Sequence, residues 1–336
     1  MSQNEIRQNE IRQNEIRQNE IRQNEIRQNE IGGTKIKQSN NSNNVNNANN
    51  VNMEREFKKL SCGPTQEKSF TCYTTNALFQ LRDSWNARHP DAAIQSNDVE
   101  EIWHSLKSGF GNVCNKESCW LRQLASASKE VKNLFNYFAP ESPKTWKKNP
   151  NEWLSSVDIT KVMKQYEDKF PSFEFLGPSP IDFDKTPKGE NSCVFEELCN
   201  FELKNYLNPA DPKHKIGIVF NTDPHYLTGS HWISLFIDMK KQFIFFFDST
   251  GDAPPKEITK FVKKIIKQGK VLGLHFKYVV NNKEHQKRNT ECGMYSLFMI
   301  INLLKETRTP EDFLTTLFTD KEMERFRSIF FNKEEV

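Results

Sequence analysis

Apolar residues are sparse over the first fifty positions and dense near the end of the chain, and between these extremes their spacing changes character twice. Gln3 to Ile31 repeats QNEI six times with Arg between copies, and Gly32 to Asn52 is dominated by Asn. A period of five fits neither helix nor strand, and one Ile in five buries too little surface to offset chain entropy. Residues 1–52 are therefore expected to be a disordered tail. From Glu54 to Phe170 the apolar spacing is helical: Ser96 to Leu106, Leu121 to Phe138, and Ser155 to Phe170 each read as a helix. The last of these starts at a Ser cap and ends at Pro171. Trp85, Trp103, Trp120, Trp146 and Trp153 supply large bodies for a core. Next comes FPSFEFLGPSPIDFDKTPKG, rich in Pro and Phe, which reads as a bridge wrapped on a surface.

Strands dominate after residue 201. Lys215 to Phe220, Trp232 to Asp238, Gln242 to Phe247 and Leu274 to Val280 are short apolar runs bounded by turn residues. Between the last two lies an amphipathic helix that buries Ile258, Phe261, Val262 and Ile265 and turns Lys256, Lys260, Lys263, Lys264, Lys267 and Lys270 to solvent. The run QKRNTECGMYSLFMIIN, Gln286 to Asn302, then changes from polar to apolar around Cys292 and predicts a buried helix. Three strands, a helix, a strand and a final helix make an α+β arrangement. The division expected is a tail at 1–52, a helical region with its bridge at 53–200, and the chemistry-bearing part at 201–336.

Cys292 is the candidate nucleophile. A thiol in the first turn of a helix faces exposed N–H groups and the positive end of the macrodipole, which favour its anion. His231 stands at the mouth of one predicted strand and Asp248 at the exit of the next, so an antiparallel pairing through the short Met239 to Lys241 connection brings both to one end of the sheet. A thiol, an imidazole and a carboxylate in that order can divide attack, proton transfer and imidazole orientation among them. The oxyanion that develops needs donors: the Cys292 N–H is one, and the Gln286 side chain, six residues earlier, is the second, with Asn289 as its rival.

Composition narrows the partners. The net charge of +3, from 47 Lys and Arg against 44 Asp and Glu, gives no general case for nucleic-acid binding. No run is apolar enough over enough length to cross a bilayer, and the N-terminus lacks the apolar core of a signal peptide. Seven cysteines, an odd number without a secretion signal, point to reduced thiols rather than a disulfide framework. Cys114 and Cys119 with His104 and Cys193 are only a loose set for zinc. No metal or cofactor is expected.

The order His231-Trp232, Asp248, Gln286-x-x-x-x-x-Cys292-Gly293 resembles the SUMO-specific and adenovirus cysteine proteases. The phrases FNTDPHYLTGSHWISLFIDM, FFFDSTGDAPP and HQKRNTECGMYSLFMI look more like the polyprotein-processing protease family of African swine fever virus and related large DNA viruses. The likeness runs, more weakly, back to about Glu54 and excludes the repeats. It implies a papain-like core with a central mixed sheet and a nucleophile helix, a helical arm domain before it, and cleavage of viral precursor proteins after Gly-Gly. That places the enzyme in the virion and at cytoplasmic assembly sites of the host, with nucleic acid at most an activator. Two positions depart from the swine fever pattern. Asp248 stands where that family has Asn, and Asn289 stands where it has a second Gln. Trp232, beside the base, is expected to wall a channel too narrow for a Cβ. The chain carries its own candidate substrate, Gly32-Gly33-Thr34, at the end of the repeats.

Overall fold

The computed structural model describes residues 62–64, 70–124, 134–208 and 210–332. The expected tail, including Gly32-Gly33, lies outside the described residues, as do residues 125–133 of the helix expected at Leu121 to Phe138.

The described helical region opens with α1 (Thr75–Arg88), α2 (Val99–Phe110) and α3 (Glu117–Leu124). Thr74 caps α1 by accepting from the Ala77 N–H. Asp98 caps α2 by accepting from Glu100 and Glu101, which starts that helix three residues later than expected. Trp85, Phe110, Trp120 and Phe138 gather with Leu78, Leu81 and Leu106 into a core of their own. A fourth helix, α4 (Ser156–Lys169), begins at the expected Ser155, where Ser155 and Asp158 form a reciprocal capping box.

A mixed sheet of five strands follows, in the spatial order β1 (Phe173–Pro180), β2 (Lys215–Asn221), β3 (Trp232–Asp238), β4 (Phe243–Phe247), β5 (Lys277–Val280). The pairs β1/β2 and β4/β5 are parallel, and β2/β3 and β3/β4 antiparallel. The stretch expected to wrap a surface as a bridge is instead the edge strand β1, so the sheet begins inside the region read as helical arm and bridge. Pro178 and Pro180 hid it. An edge strand has one unpaired side, and there proline costs no ladder bond.

Alternation along the central strands explains their unbroken apolar runs. Trp232, Phe236, Phe245 and Phe247 face one core, while Ile233, Leu235, Ile237, Ile244 and Phe246 face the other. Helix α5 (Lys256–Val271) covers the second face with Ile258, Phe261, Val262 and Ile265. The first face receives α6 (Cys292–Leu304), all of whose residues are buried. The chain closes with α7 (Pro310–Thr315) and α8 (Asp320–Phe330), which place Phe313, Met323 and Phe326 in the same core as α6.

The cysteines correct the expectation of reduced thiols. Cys62–Cys72, Cys114–Cys119 and Cys193–Cys199 are bonded, at Cα separations of 5.3, 5.5 and 6.7 Å, within the disulfide range. The odd count arises because Cys292 is the free seventh. Among the described residues no helix is long and apolar enough to cross a membrane.

Candidate active site

Strand register brings the first two site residues together. His231 directly precedes β3 and Asp248 directly follows β4, so the antiparallel pairing of these strands leaves both at one end of the sheet. The imidazole Nε2 lies 2.7 Å from Asp248 Oδ1. Asp248 is itself held: the same oxygen accepts from the Thr250 N–H at 2.9 Å and the Thr250 hydroxyl at 2.7 Å. The turn continues through Gly251 at φ 79°, where a Cβ would stand 2.9 Å from the Glu284 nitrogen, so only glycine lets the turn lie against that loop.

Cys292 is the first residue of α6 and is 1% exposed. Its thiol is close enough to His231 to help raise the imidazole. With Nε2 given to Asp248, Nδ1 is the ring nitrogen left for the thiol. Burial works against an imidazolium here, but the hydrogen bonds and charges of Asp248 and Cys292 outweigh it and push His231 up to about 10. A ring held so far above its ordinary value keeps its proton at neutral pH, which is the state that can protonate a leaving amine.

Gln286 sits on a loop pinned to Ser249, the residue after Asp248. The Ser249 carbonyl accepts from the N–H groups of both His285 and Gln286 at 2.8 Å, and the Ser249 hydroxyl donates to Gln286 Oε1 at 2.7 Å. Its Nε2 donates to the Arg288 carbonyl, which uses one of the amide's two N–H bonds. Further along, the Lys287 and Arg288 N–H groups donate to Asp320 Oδ2, at 3.0 and 2.9 Å. Asn289 is exposed on this loop, whereas Gln286 is buried.

His285 anchors the loop's start. Its Nε2 faces the Phe313 carbonyl at 3.0 Å and its Nδ1 accepts from the Phe318 N–H at 3.2 Å, a pairing that only the neutral ring can make. Burial disfavours the charged ring more than the Phe313 carbonyl favours it, Lys283 adds to the same side, and together they push His285 down to about 4. The unfolded chain takes up this proton near 6.5, so the folded state loses stability as pH falls from about 6.5 to about 4, and no more below that. Urea unfolding of wild type and His285→Gln at pH 7 and pH 5 should show a larger loss on acidification in the wild type. Equal losses would mean that His285 is not the titrating group.

Beside the base, Trp232 is nearly buried and its Nε1 donates to the Leu154 carbonyl at 2.9 Å. Leu154 in turn packs on Gly293, where an added Cβ would lie 3.0 Å from the Leu154 Cβ and 3.2 Å from the Trp232 ring. A cleft of about 890 Å³ runs from Trp232 and Gly229 past Leu154 and Ser155 to Pro143 and Lys144. Trp232 is thus a core residue that also lines this cleft.

Glu291 and Arg327 carried no signal in the motif itself. Glu291, fully buried just before Cys292, pairs through both carboxylate oxygens with the Arg327 Nε and Nη2, each at 2.9 Å. The pattern of α8 contained the clue: Met323, Phe326 and Phe330 define its buried stripe, and Arg327 falls within it.

The chain is a cysteine-type protease with a SUMO-protease-like fold. Residues 205–336 match the model of the Ulp1 protease family, C-terminal catalytic domain. A protein of Acanthamoeba polyphaga mimivirus named as a thiol protease is 26% identical over 297 residues, spanning 81% of this chain and 93% of its own length. A protein of African swine fever virus named SUMO-1 cysteine protease is 28% identical over 259 residues, spanning 72% of this chain and 91% of its own. The crystal structure of the African swine fever virus protease superposes with a TM-score of 0.59 at 22% identity, covering 82% of this chain and 96% of that one, a likeness of fold.

Proposed function

We propose that the chain is an endopeptidase in which Cys292, His231 and Asp248 act as the triad, and that it cuts precursor proteins after Gly-Gly during virion maturation, at the assembly site and in the particle. The observation that supports this reading is His231 bonded to Asp248 and raised by the neighbouring buried thiol of Cys292, next in the chain to Trp232, which lines the cleft.

The Cys292 sulfur, with its proton on His231, attacks the scissile carbonyl. Charge gathers on the carbonyl oxygen, where the Cys292 N–H and the remaining Gln286 Nε2 N–H are the donors. His231 then gives its proton to the leaving amine. Water, activated by the neutral imidazole, hydrolyses the thioester, restoring the thiolate and imidazolium. Asp248 holds the ring so that the sulfur always meets the same nitrogen. The Gly-Gly preference rests on Trp232, which lines the cleft beside His231, acting as a wall of the substrate channel.

The same centre can open an isopeptide bond behind a Gly-Gly tail, and the name of the swine fever relative favours testing that activity. Recombinant enzyme is therefore offered a Gly-Gly-x peptide and ubiquitin-like conjugates, and its own intact mass is followed over time. Cleavage of the peptide, with release of residues 1–33 in active enzyme but not in Cys292→Ser, is the expected result. Cleavage of conjugates alone would make the enzyme an isopeptidase, and cleavage of neither would end the Gly-Gly reading.

A further inference from the structure

Arg327 lies 36 residues beyond the nucleophile's neighbour Glu291, yet one guanidinium joins three parts of the site. Besides its two bonds to Glu291, it donates to the Thr290 carbonyl at 3.3 Å, which fixes the two residues leading into Cys292. Its Nη1 donates to the Glu152 carbonyl at 2.8 Å, at the start of the Glu152 to Ser155 stretch that lines the cleft. The flat face of the guanidinium stacks on Trp146 at 4.5 Å. The side chain is 1% exposed, so each of these contacts is made away from water.

A lysine could neutralise Glu291 but could not span these positions. Bidentate pairing, a carbonyl on each side and a stacked ring demand a planar fork with five donors in fixed directions. Stability alone does not account for such an arrangement, because a buried ion pair is often matched or exceeded by apolar residues of similar size. What the fork adds is a fixed spacing between two chain segments distant in sequence, the one that carries the sulfur and the one that walls the substrate.

We propose that Arg327 is a positioning residue: through Thr290 and Glu291 on one side and Glu152 on the other, it sets the distance between the Cys292 sulfur and the Leu154 wall against which the substrate backbone lies. The role rests on the reading of the Trp232 cleft as the substrate channel. It does not require Arg327 to touch substrate, and it leaves the Cys292–His231 pair chemically intact.

Two variants test it, Arg327→Lys and the apolar pair Glu291→Met with Arg327→Met, each assayed well below its melting temperature. For each, kcat and KM are measured on whichever of the Gly-Gly-x peptide and the ubiquitin-like conjugate the wild type cleaves. The rate at which iodoacetamide alkylates Cys292 is measured alongside, since a small electrophile needs the sulfur and His231 but not the wall. Misplacing a reacting group by a fraction of an ångström to an ångström costs up to about 10²-fold, so kcat/KM should fall by about tenfold or more, mainly through kcat, with alkylation near the wild-type rate. Full hydrolysis by either folded variant would reduce Arg327 to a stability element. Alkylation falling in step with hydrolysis would mean that the pair shapes the nucleophile itself, and would equally overturn the spacing role. Wild-type enzyme that alkylates normally but cuts neither substrate would count against the channel reading on which the role rests, a result separable from both because it needs no variant.

Discussion

Cys292→Ser leaves the fold in place and abolishes turnover. Exchanging sulfur for oxygen at a position that is 1% exposed, at the start of an apolar helix packed on the sheet, changes little volume and no packing partner. The chemistry changes far more, because a hydroxyl beside His231 ionises much less readily than a thiol, and oxygen is the poorer nucleophile towards a carbonyl here. Loss of a nucleophile in a cooperating triad costs on the order of 10⁴-fold or more in kcat. Circular dichroism melting curves that overlay those of wild type, with peptide hydrolysis at background, are the expected pair of measurements. Retained hydrolysis would remove Cys292 from the mechanism.

His231→Ala should be nearly as damaging, since the sulfur then loses both the group that takes its proton and the one that protonates the leaving amine. Asp248→Asn should be much milder, for a reason that lies in the surroundings of Oδ1. That oxygen accepts from the Thr250 N–H and hydroxyl as well as facing His231. The two Thr250 donors hold the amide oxygen of the substituted side chain in place, so an acceptor still faces Nε2 and the ring keeps its orientation, whereas an amide free to flip would impose the wrong tautomer. The lost negative charge should still lower the His231 value from about 10, drawing the alkaline limb of the kcat/KM profile to lower pH. The same raised value links to folding: its contribution to stability is complete below about 6.5 and disappears as pH rises through about 10. An Asp248→Asn enzyme as inactive as His231→Ala would show that the carboxylate charge, and not its hydrogen bond, is required.

Much of the core could be read along the chain because its signals are local. The apolar runs of β2, β3 and β4, the capping Ser155, and the polar-to-apolar change at Cys292 each depend on neighbours within a few residues. The disagreements have equally definite causes. The edge strand β1 carries two prolines that read as loop, because its pairing with β2 joins Phe173 to Lys215, far away in the chain. The disulfides were missed because parity of the cysteine count was set against them, although it was the free Cys292 that made the count odd.

The sequence by itself determined the identities and order of His231, Asp248 and Cys292, and the antiparallel hairpin that brings the first two to one end of a sheet. These follow from residue type, strand alternation and a short connection, all local properties. Only the tertiary structure decided what holds them: Ser249 pinning Gln286, Asp320 gathering the Lys287 and Arg288 N–H groups, and Arg327 reaching Glu291 and Glu152 from the last helix. Each of these is a hydrogen bond between segments 32 or more residues apart in the chain. No local pattern encodes such a partner, because its position is set by how the sheet, α6 and α8 pack on one another.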